Sequence, residues 1–308
     1  MEIKVNRDSK DPHRSLIKSA VVLLCVLLLQ PASSLRAAES DAILNLRLAH
    51  HSNVPNAADD INTFSDRLLQ ADYNRDWRFV TSPGNWFSVG LLTQGDLWQQ
   101  TGGMNRLAAG VAVGYSHKFG LGPEAPRLNL RSQWLYQAFE GSVRSGPVHS
   151  HSAALSRWIA DNIQLSGSWS WTAQSAPSRR ELLANPAFDV DVFNQEQQQL
   201  TIQADYLLYN SHALSAHLSV TDGDTGASAR PGSALLRIGE AIARDNGIDR
   251  GYLAYRVEAR RYAAGLQWSM PLSMDSSLSL GAERRLARAD AGVRYRETRV
   301  HLDYLKRF

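Results

Sequence analysis

From residue 40 onward the chain is organised by a period of two. The clearest stretch is 107–119, where Leu107, Ala109, Val111, Val113, Tyr115 and Phe119 share one face of an extended strand. Ala108, Gly110, Ala112, Gly114, Ser116 and Lys118 share the other. Large apolar groups on one side and small or polar groups on the other describe a barrel wall, with lipid outside and a crowded interior. The same alternation recurs around Leu44–Leu48, Leu69–Trp77, Val89–Leu97, Leu128–Tyr136, Ile163–Trp171, Leu200–Tyr206, Leu214–Val220, Tyr262–Trp268, Leu278–Ala282 and Val300–Tyr304. With a weaker segment at 150–159, twelve strands result. The predicted fold is all-β: a transmembrane, antiparallel, up-and-down β-barrel of about 12 strands, with 10 or 14 open if weak segments are miscounted. A soluble β-sandwich also alternates. The closing pattern Val300, Leu302, Tyr304 and Phe308, an alternating strand ending on an aromatic residue, favours the barrel.

The connections divide into two kinds. Links at 81–85, 120–124, 160–162, 210–212 and 271–275 are short and turn-like, whereas 51–65, 100–105, 141–149, 174–196, 222–255 and 286–294 are mostly longer. Short periplasmic turns alternating with long external loops is the expected asymmetry, and it places both termini in the periplasm. Aromatic residues group near the strand ends. Trp77, Phe79, Trp86, Phe87, Phe119, Trp158, Tyr209, Trp268, Tyr304 and Phe308 lie beside the short turns, and Trp98, Tyr136, Phe139 and Trp171 near the other ends. Two interfacial girdles are expected from this placement. Arg75 falls on the lipid face in this register, which predicts an interfacial position beside Trp77 or a register shift. Ala234–Arg244 has apolar residues at helical spacing and predicts a short helix in the fifth long loop, packed on that loop's own residues.

The N-terminus differs. A basic stretch precedes the apolar run at residues 19–29, and the small residues Ala32, Ser33, Ser34, Ala37 and Ala38 follow, the layout of a cleaved signal peptide over 1–38. The run is shorter than the roughly 20 residues a helical span needs. The formal charge of +3 lies wholly in this segment, which holds six bases and three acids; residues 39–308 hold 27 of each. The basic excess therefore gives no support for a nucleic-acid partner. Cys25, the only cysteine, also lies there, so the barrel domain at 39–308 has no thiols for disulfides, zinc or catalysis. An exported barrel is expected in the outer membrane of a Gram-negative bacterium. Its expected partners are outer-membrane lipids and lipopolysaccharide and, during biogenesis, the barrel assembly machinery and periplasmic chaperones.

The stretches Gly120-Leu-Gly-Pro-Glu-Ala-Pro-Arg127, Asp222-Gly-Asp224 running to Ala254-Tyr-Arg256, and Arg288-Ala-Asp290 with the strand after it carry a resemblance. In these the chain resembles a group of uncharacterised proteobacterial outer-membrane β-barrel proteins over most of 40–308. More distantly it is similar to the C-terminal barrel of surface lipoprotein assembly modifiers, whose N-terminal helical repeats it lacks. The resemblance implies a fold and a location, with an export partner for a surface polypeptide as one functional alternative.

Candidate chemistry is sparse. In His50-His51-Ser52-Asn53, His50 and Ser52 share a face at a strand end, and a histidine base beside a serine is the minimum for acyl transfer. The string resembles the His-x-Ser-Asn of the outer-membrane phospholipase A family, with Val54 where that family has glycine. An outer-membrane lipid hydrolase using His50 and Ser52 is therefore one alternative. His149 and His151 share a face without a third ligand nearby, and Asp189, Asp191 and Glu196 lack the spacing of a calcium loop, so no metal and no cofactor is expected. The inward-facing set is Asp72, Asp76, Arg127, Arg131, Asp205, Glu297, Arg299, His301 and Asp303. Such mixed charge either pairs and plugs the lumen or lines a narrow aqueous pore. The preferred reading is a porin-like channel, or a structural surface protein, of unassigned cargo rather than an enzyme.

Overall fold

The computed structural model describes residues 39–176, 190–231, 239, 241–248, 251–289 and 293–308. The leader at 1–38, Asp189 and Asp290 lie outside the described residues. The strands are β1 (Glu39–His51), β2 (Asp66–Ser82), β3 (Asn85–Trp98), β4 (Arg106–Lys118), β5 (Arg127–Phe139), β6 (Gly146–Ala160) and β7 (Ile163–Gln174). They continue with β8 (Gln195–Leu207), β9 (Ala213–Ala229), β10 (Ala241–Arg244), β11 (Leu253–Ser273), β12 (Ser276–Ala289) and β13 (Arg294–Arg307). Among the described residues no helix is long and apolar enough to cross a membrane.

Twelve of these strands form one antiparallel ring. Each pairs with its neighbours in sequence, β9 pairs with β11, and β13 returns to β1 from Ile43↔Arg307 to His51↔Arg299. Closure follows from a physical requirement: in hydrocarbon every strand N–H and C=O must find a partner, and only a ring leaves no edge. The weakest sequence segment, 150–159, is part of a full 15-residue strand, β6.

The outward face carries the large apolar groups, with Leu48 at 53%, Ile202 at 68% and Leu218 at 65% exposure in the bare protein. Directly opposed residues share a face, so parity propagates round the ring: Ile202↔Leu218, Leu218↔Ala264, Leu266↔Ala282 and Ala282↔Val300 all point outward. The inward side of β4 is lined by Ala108, Gly110, Ala112 and Gly114. Leu92 of β3 and Leu135 of β5 lean over it, and Ala112 has no exposed surface. Val300, Leu302 and Tyr304 lie outward on β13, and the Phe308 N–H donates to Ala42 O at 2.9 Å, extending the ring to the chain end.

The structure departs from the sequence expectation in two respects and keeps it in a third. Ala241–Arg244 is a strand, not the end of a helix, and it pairs with β11 at 253–256. Residues 234–238 and 240 of that predicted helix lie outside the described residues. Four apolar positions suffice for a helical pattern when read in isolation, but the free edge of β11 offers a hydrogen-bond ladder that short loop segments readily accept. Trp86, Trp98, Phe139 and Trp158 turn inward rather than into a girdle: Trp86 is covered by Arg78 and Arg127, Trp98 stands 5.0 Å from the His51 ring, and Phe139 and Trp158 pair with the inward Arg106 and Gln164. Arg75 keeps its outward register and lies over Trp77 at 5.5 Å, the interfacial arrangement expected for a charge beside lipid.

If the outward face meets hydrocarbon, a charge there is costly and the same charge one residue on is not. Leu218→Arg is expected to lower the folding free energy in lipid vesicles by about 2–4 kcal/mol, and Ser219→Arg by under about 1 kcal/mol. Urea titration of vesicle-folded protein measures both.

Candidate functional site

The candidate site is the interior and its mouth, and register fixes which side chains reach it. On β13, Tyr295, Glu297, Arg299, His301 and Asp303 alternate with the outward Arg296, Thr298, Val300 and Leu302. Pairing then carries Glu283 and Arg285 of β12, Arg261 of β11, His217 of β9, and Arg47 and His51 of β1 to the same side.

These groups form one continuous chain of charge. His217 Nε2 lies 3.0 Å from Glu283, Glu283 also holds Arg285, and Arg285 approaches Glu297 at 4.0 Å. Glu297, only 4% exposed, is the hub: it also holds Arg299 at 2.8 Å and His51 Nδ1 at 2.8 Å. Lower on the same wall, Arg47 donates to Asp303 at 2.5 Å and His301 lies 3.4 Å from it. Gly265 and Gly281 make room for this chain, because a Cβ at either would collide with the imidazole of His217 or His301.

A second group sits across β2–β5. Arg131 of β5 reaches Asp76 of β2 at 3.2 Å, passing over β3 and β4. Only a smooth floor permits that reach. A Cβ at Gly90 would strike the Asp76 carboxylate, and Ala112 and Gly114 complete the floor. Arg106 joins Asp96 at 2.7 Å, and Arg127 lies over the Trp86 ring at 4.4 Å. Asp72 has only a long 3.5 Å contact from Gln70, and Asp205 is held by Ser215 at 2.6 Å and Gln203 at 2.8 Å without a cation. The structure thus brings Glu297, Arg299, His301 and Asp303 onto one wall and Asp76 with Arg131 onto another, while Asp205, Asp72 and Arg127 stay apart from both. Arg47, His51, His217, Arg261, Glu283 and Arg285 belong with the first wall and were not among the sequence candidates. Extending the parity of Leu278, Leu280 and Ala282 by a few residues is the signal that reaches Glu283 and Arg285.

Between these walls the lining changes character. On β6–β8 the inward residues include Ser152, Ser168, Ser170, Thr172, Gln199 and Thr201, with no charge on the central rungs. β7 stands opposite β1, six places round the ring, so a hydroxyl- and amide-lined wall faces the ion-paired one.

At the end with the long connections the described loop segments hold one another. β9 and β11 run past the ring as a ribbon, and Tyr255, Val257, Ala227 and Ala229 on it are buried. The β1–β2 loop crosses to this ribbon: Ser228 N–H donates to Pro55 O at 2.7 Å, Asn56 donates to Gly226 O at 3.0 Å, and Arg230 N–H donates to Asn62 Oδ1 at 3.0 Å. From the β5–β6 loop, Arg144 reaches Asp245 at 2.5 Å and covers Phe193 of the β7–β8 loop at 4.6 Å. Asp245 is 1% exposed and also accepts from Ser228 Oγ at 2.5 Å and from the Gly247 N–H at 3.0 Å. Asp66 does a similar task lower down, accepting from the Thr101 N–H at 2.9 Å and its hydroxyl at 2.8 Å. Burial pushes the Tyr255 phenol above its ordinary value. The described part of the β9–β11 connection packs on its own loop's residues, Ile242 against Ala227, Ala229 and Tyr255, and is also held by the neighbouring loops. It is the keystone of a cap built from four loops, because Asp245 offers the buried carboxylate that Arg144 needs.

The remaining candidates are not drawn together. His50 is exposed on the outward face, while the Ser52 hydroxyl accepts from the Thr298 N–H at 2.7 Å, and no hydrogen bond among the described residues joins the two. His149 and His151 lie outward on β6; His151 bonds Ser132 at 2.8 Å and stacks on Trp171 at 5.4 Å. Glu196 accepts from the Trp171 indole at 2.6 Å. Among the described residues no group of three metal-ligating side chains occurs.

A closed antiparallel ring, apolar outside and polar inside, with its short turns at one end and its long connections at the other, is an outer-membrane β-barrel. In fold the chain is similar to the crystal structure of an outer membrane channel from Pseudomonas putida F1, with a TM-score of 0.53 at 10% identity, over 91% of this chain and 100% of that one. At lower TM-scores it is similar to NanC porin (0.42, 10% identity, 85% of this chain and 98% of that one). The same holds for the outer membrane channel DcaP of Acinetobacter baumannii (0.43, 9% identity, 91% and 100%). At such identities the likeness speaks to fold alone. No protein-family model and no curated protein matches the chain, so the distant resemblance to the assembly-modifier barrel gains no support.

Glu297 and Asp76 are expected to differ in weight. Glu297→Ala strands Arg299, Arg285 and His51 and should destabilise the folded barrel by about 3 kcal/mol or more. Asp76→Ala frees the quarter-exposed Arg131 to water, for about 1 kcal/mol. Unfolding midpoints in vesicles give the ranking.

Proposed function

We propose that the protein is an outer-membrane channel for small polar solutes, with both termini in the periplasm and a cap of interlinked loops at its external mouth. The observation that carries this is the interior itself. Most inward positions are polar or small, and the charges there pair along the walls instead of across the whole bore. A polar interior with a hydrogen-bonding wall facing a charged wall suits water and hydroxylated solutes. Twelve strands also lie between the filled barrels of about 8 and the open porins of about 16. The fold similarity to an outer membrane channel supports the same reading. Both ends of the barrel, Glu39 and Phe308, share the short-turn end, since Glu39 pairs with Arg78 near the Pro83–Gly84 turn and Phe308 bonds Ala42, which supports a periplasmic position for the termini.

The cap makes closure conditional. Asp245 is its shared acceptor, and without it Arg144, Ser228 and Gly247 lose their common partner. In planar bilayers the wild-type protein is expected to give small stepwise currents with long closed periods. Asp245→Ala should raise the open fraction severalfold while leaving the size of the open step nearly unchanged. Silence from both across repeated preparations would overturn the channel reading. Geometry gives the hydrolase alternative no support, because no hydrogen bond among the described residues joins His50 to the Ser52 hydroxyl, which accepts from the Thr298 N–H. Vesicle phospholipid is therefore expected to stay intact with the wild type, and His50→Ala to change nothing; wild-type cleavage that His50→Ala abolishes would reverse that conclusion.

A further inference from the structure

The outward face of β11–β13 gathers charge on a wall that is elsewhere mostly apolar. At its loop end three arginines stand in direct cross-strand succession, Arg260↔Arg288 and Arg288↔Arg294, all exposed. One rung lower Arg296 faces Leu286, and one lower still Arg284 lies between Ala264 and Thr298. Asp222 of β9 holds Arg260 at 3.2 Å, and Arg288 lies 5.9 Å from the Tyr262 ring. Among the described residues no carboxylate pairs with Arg284, Arg288, Arg294 or Arg296; the other outward acids nearby, Asp224 and Glu258, stand on β9 and the β11 extension. Like charges opposed across strands repel. An arginine facing lipid is costlier still, by about 2–4 kcal/mol near the midplane and little at the interface. Such a set is stable where an anion sits among the guanidinium groups.

Directly below lies a place for the rest of such a molecule. Two adjoining hollows of ≈ 630 and ≈ 790 Å³ run down the outer wall and share Ile202, Leu218, Ala264 and Arg284. They exist because Ala204, Ala216, Ala264 and Ala282 replace the large side chains found elsewhere on this face. Arg284 stands on the rung that the two hollows share, with the apolar rung of Leu200, Val220, Tyr262 and Leu286 above it and that of Ala204, Ala216, Leu266 and Ala282 below, so a ligand filling the hollows meets charge midway along an apolar wall.

The geometry points to a binding site for the phosphorylated, multiply acylated glycolipid of the outer leaflet, lipid A, with its phosphates on Arg284, Arg288, Arg294 and Arg296 and an acyl chain in the hollows. Guanidinium groups pair with phosphate oxygens through two parallel hydrogen bonds, and the long arginine stems reach along the wall to the headgroup level. The assignment rests on the proposed orientation, which turns the loop end outward, but not on conduction. Native mass spectrometry of the detergent-solubilised barrel tests it. Bis-phosphorylated lipid A is expected to be retained at least tenfold more than its dephosphorylated form, phosphatidylglycerol or inorganic phosphate. Combined Arg284→Gln, Arg288→Gln and Arg296→Gln should lower retention about tenfold, with Arg75→Gln, on the same face at the other end, unchanged. Ala264→Phe, which fills the hollows and leaves every arginine in place, should also weaken it. A heat-modifiable gel band shows that each variant is folded. Equal retention by the triple variant and wild type, or equal retention of lipid A and phosphatidylglycerol, would overturn the site. Step conductance of the triple variant in bilayers free of lipid A is expected to match wild type, so a silent channel that still binds lipid A would count against conduction alone.

Discussion

An unpaired peptide N–H or C=O in hydrocarbon costs several kcal/mol, and the whole molecule is arranged around avoiding that. The β1–β13 ladder, from Ile43↔Arg307 to His51↔Arg299, is where the requirement is met or lost, because it joins segments at opposite ends of the chain. Once it forms, each strand has two partners and each side chain has one of two environments. Register is then fixed throughout, since a slip of one residue would turn every leucine inward and every charge toward lipid. Even the Phe308 N–H is satisfied by Ala42.

Closure forces a polar interior, and the interior has its own constraint: a charge left unpaired there is costly, so most of the charges are paired. The solution differs by wall. On β12, β13 and β1 the charges neutralise one another through Glu297, while on β6–β8 serine, threonine and glutamine need no counter-charge. Glycine and alanine at 90, 112 and 114 let Arg131 lie flat to reach Asp76 instead of standing into the bore. The ion pairs therefore lie along the walls they belong to. At the loop end one carboxylate, Asp245, gathers groups from three segments.

The barrel was legible in the sequence because period two is a local property, readable strand by strand from pairs such as Val111 and Ala112. The alternation of short and long links added the two ends. What lay beyond reach depends on contacts between segments far apart. Arg144 and Asp245 are 101 residues apart, and nothing local marks either as a partner. Trp86 and Trp98 were misread because aromatic residues near strand ends usually sit at the interface, and only parity carried from β2 shows them inward. The Ala241–Arg244 strand was hidden by a pattern that suits a helix equally well. Among the lumen candidates Glu297 was legible as inward, but its role as hub was not, since His51 and Arg285 come from other strands.

Ring closure with this register is the claim on which the interior, the outer arginines and the cap all depend. The most direct measurement is a short thiol cross-link across the β1–β13 seam in protein folded into vesicles, using Asn45→Cys with Leu305→Cys, which face each other on the inward side. With the only native cysteine confined to residue 25, the pair is easily read. The account predicts a fast intrachain cross-link for this pair and little for Asn45→Cys with Asp303→Cys, two residues out of register. Cross-linking only between chains, or preferential capture of the offset pair, would contradict it.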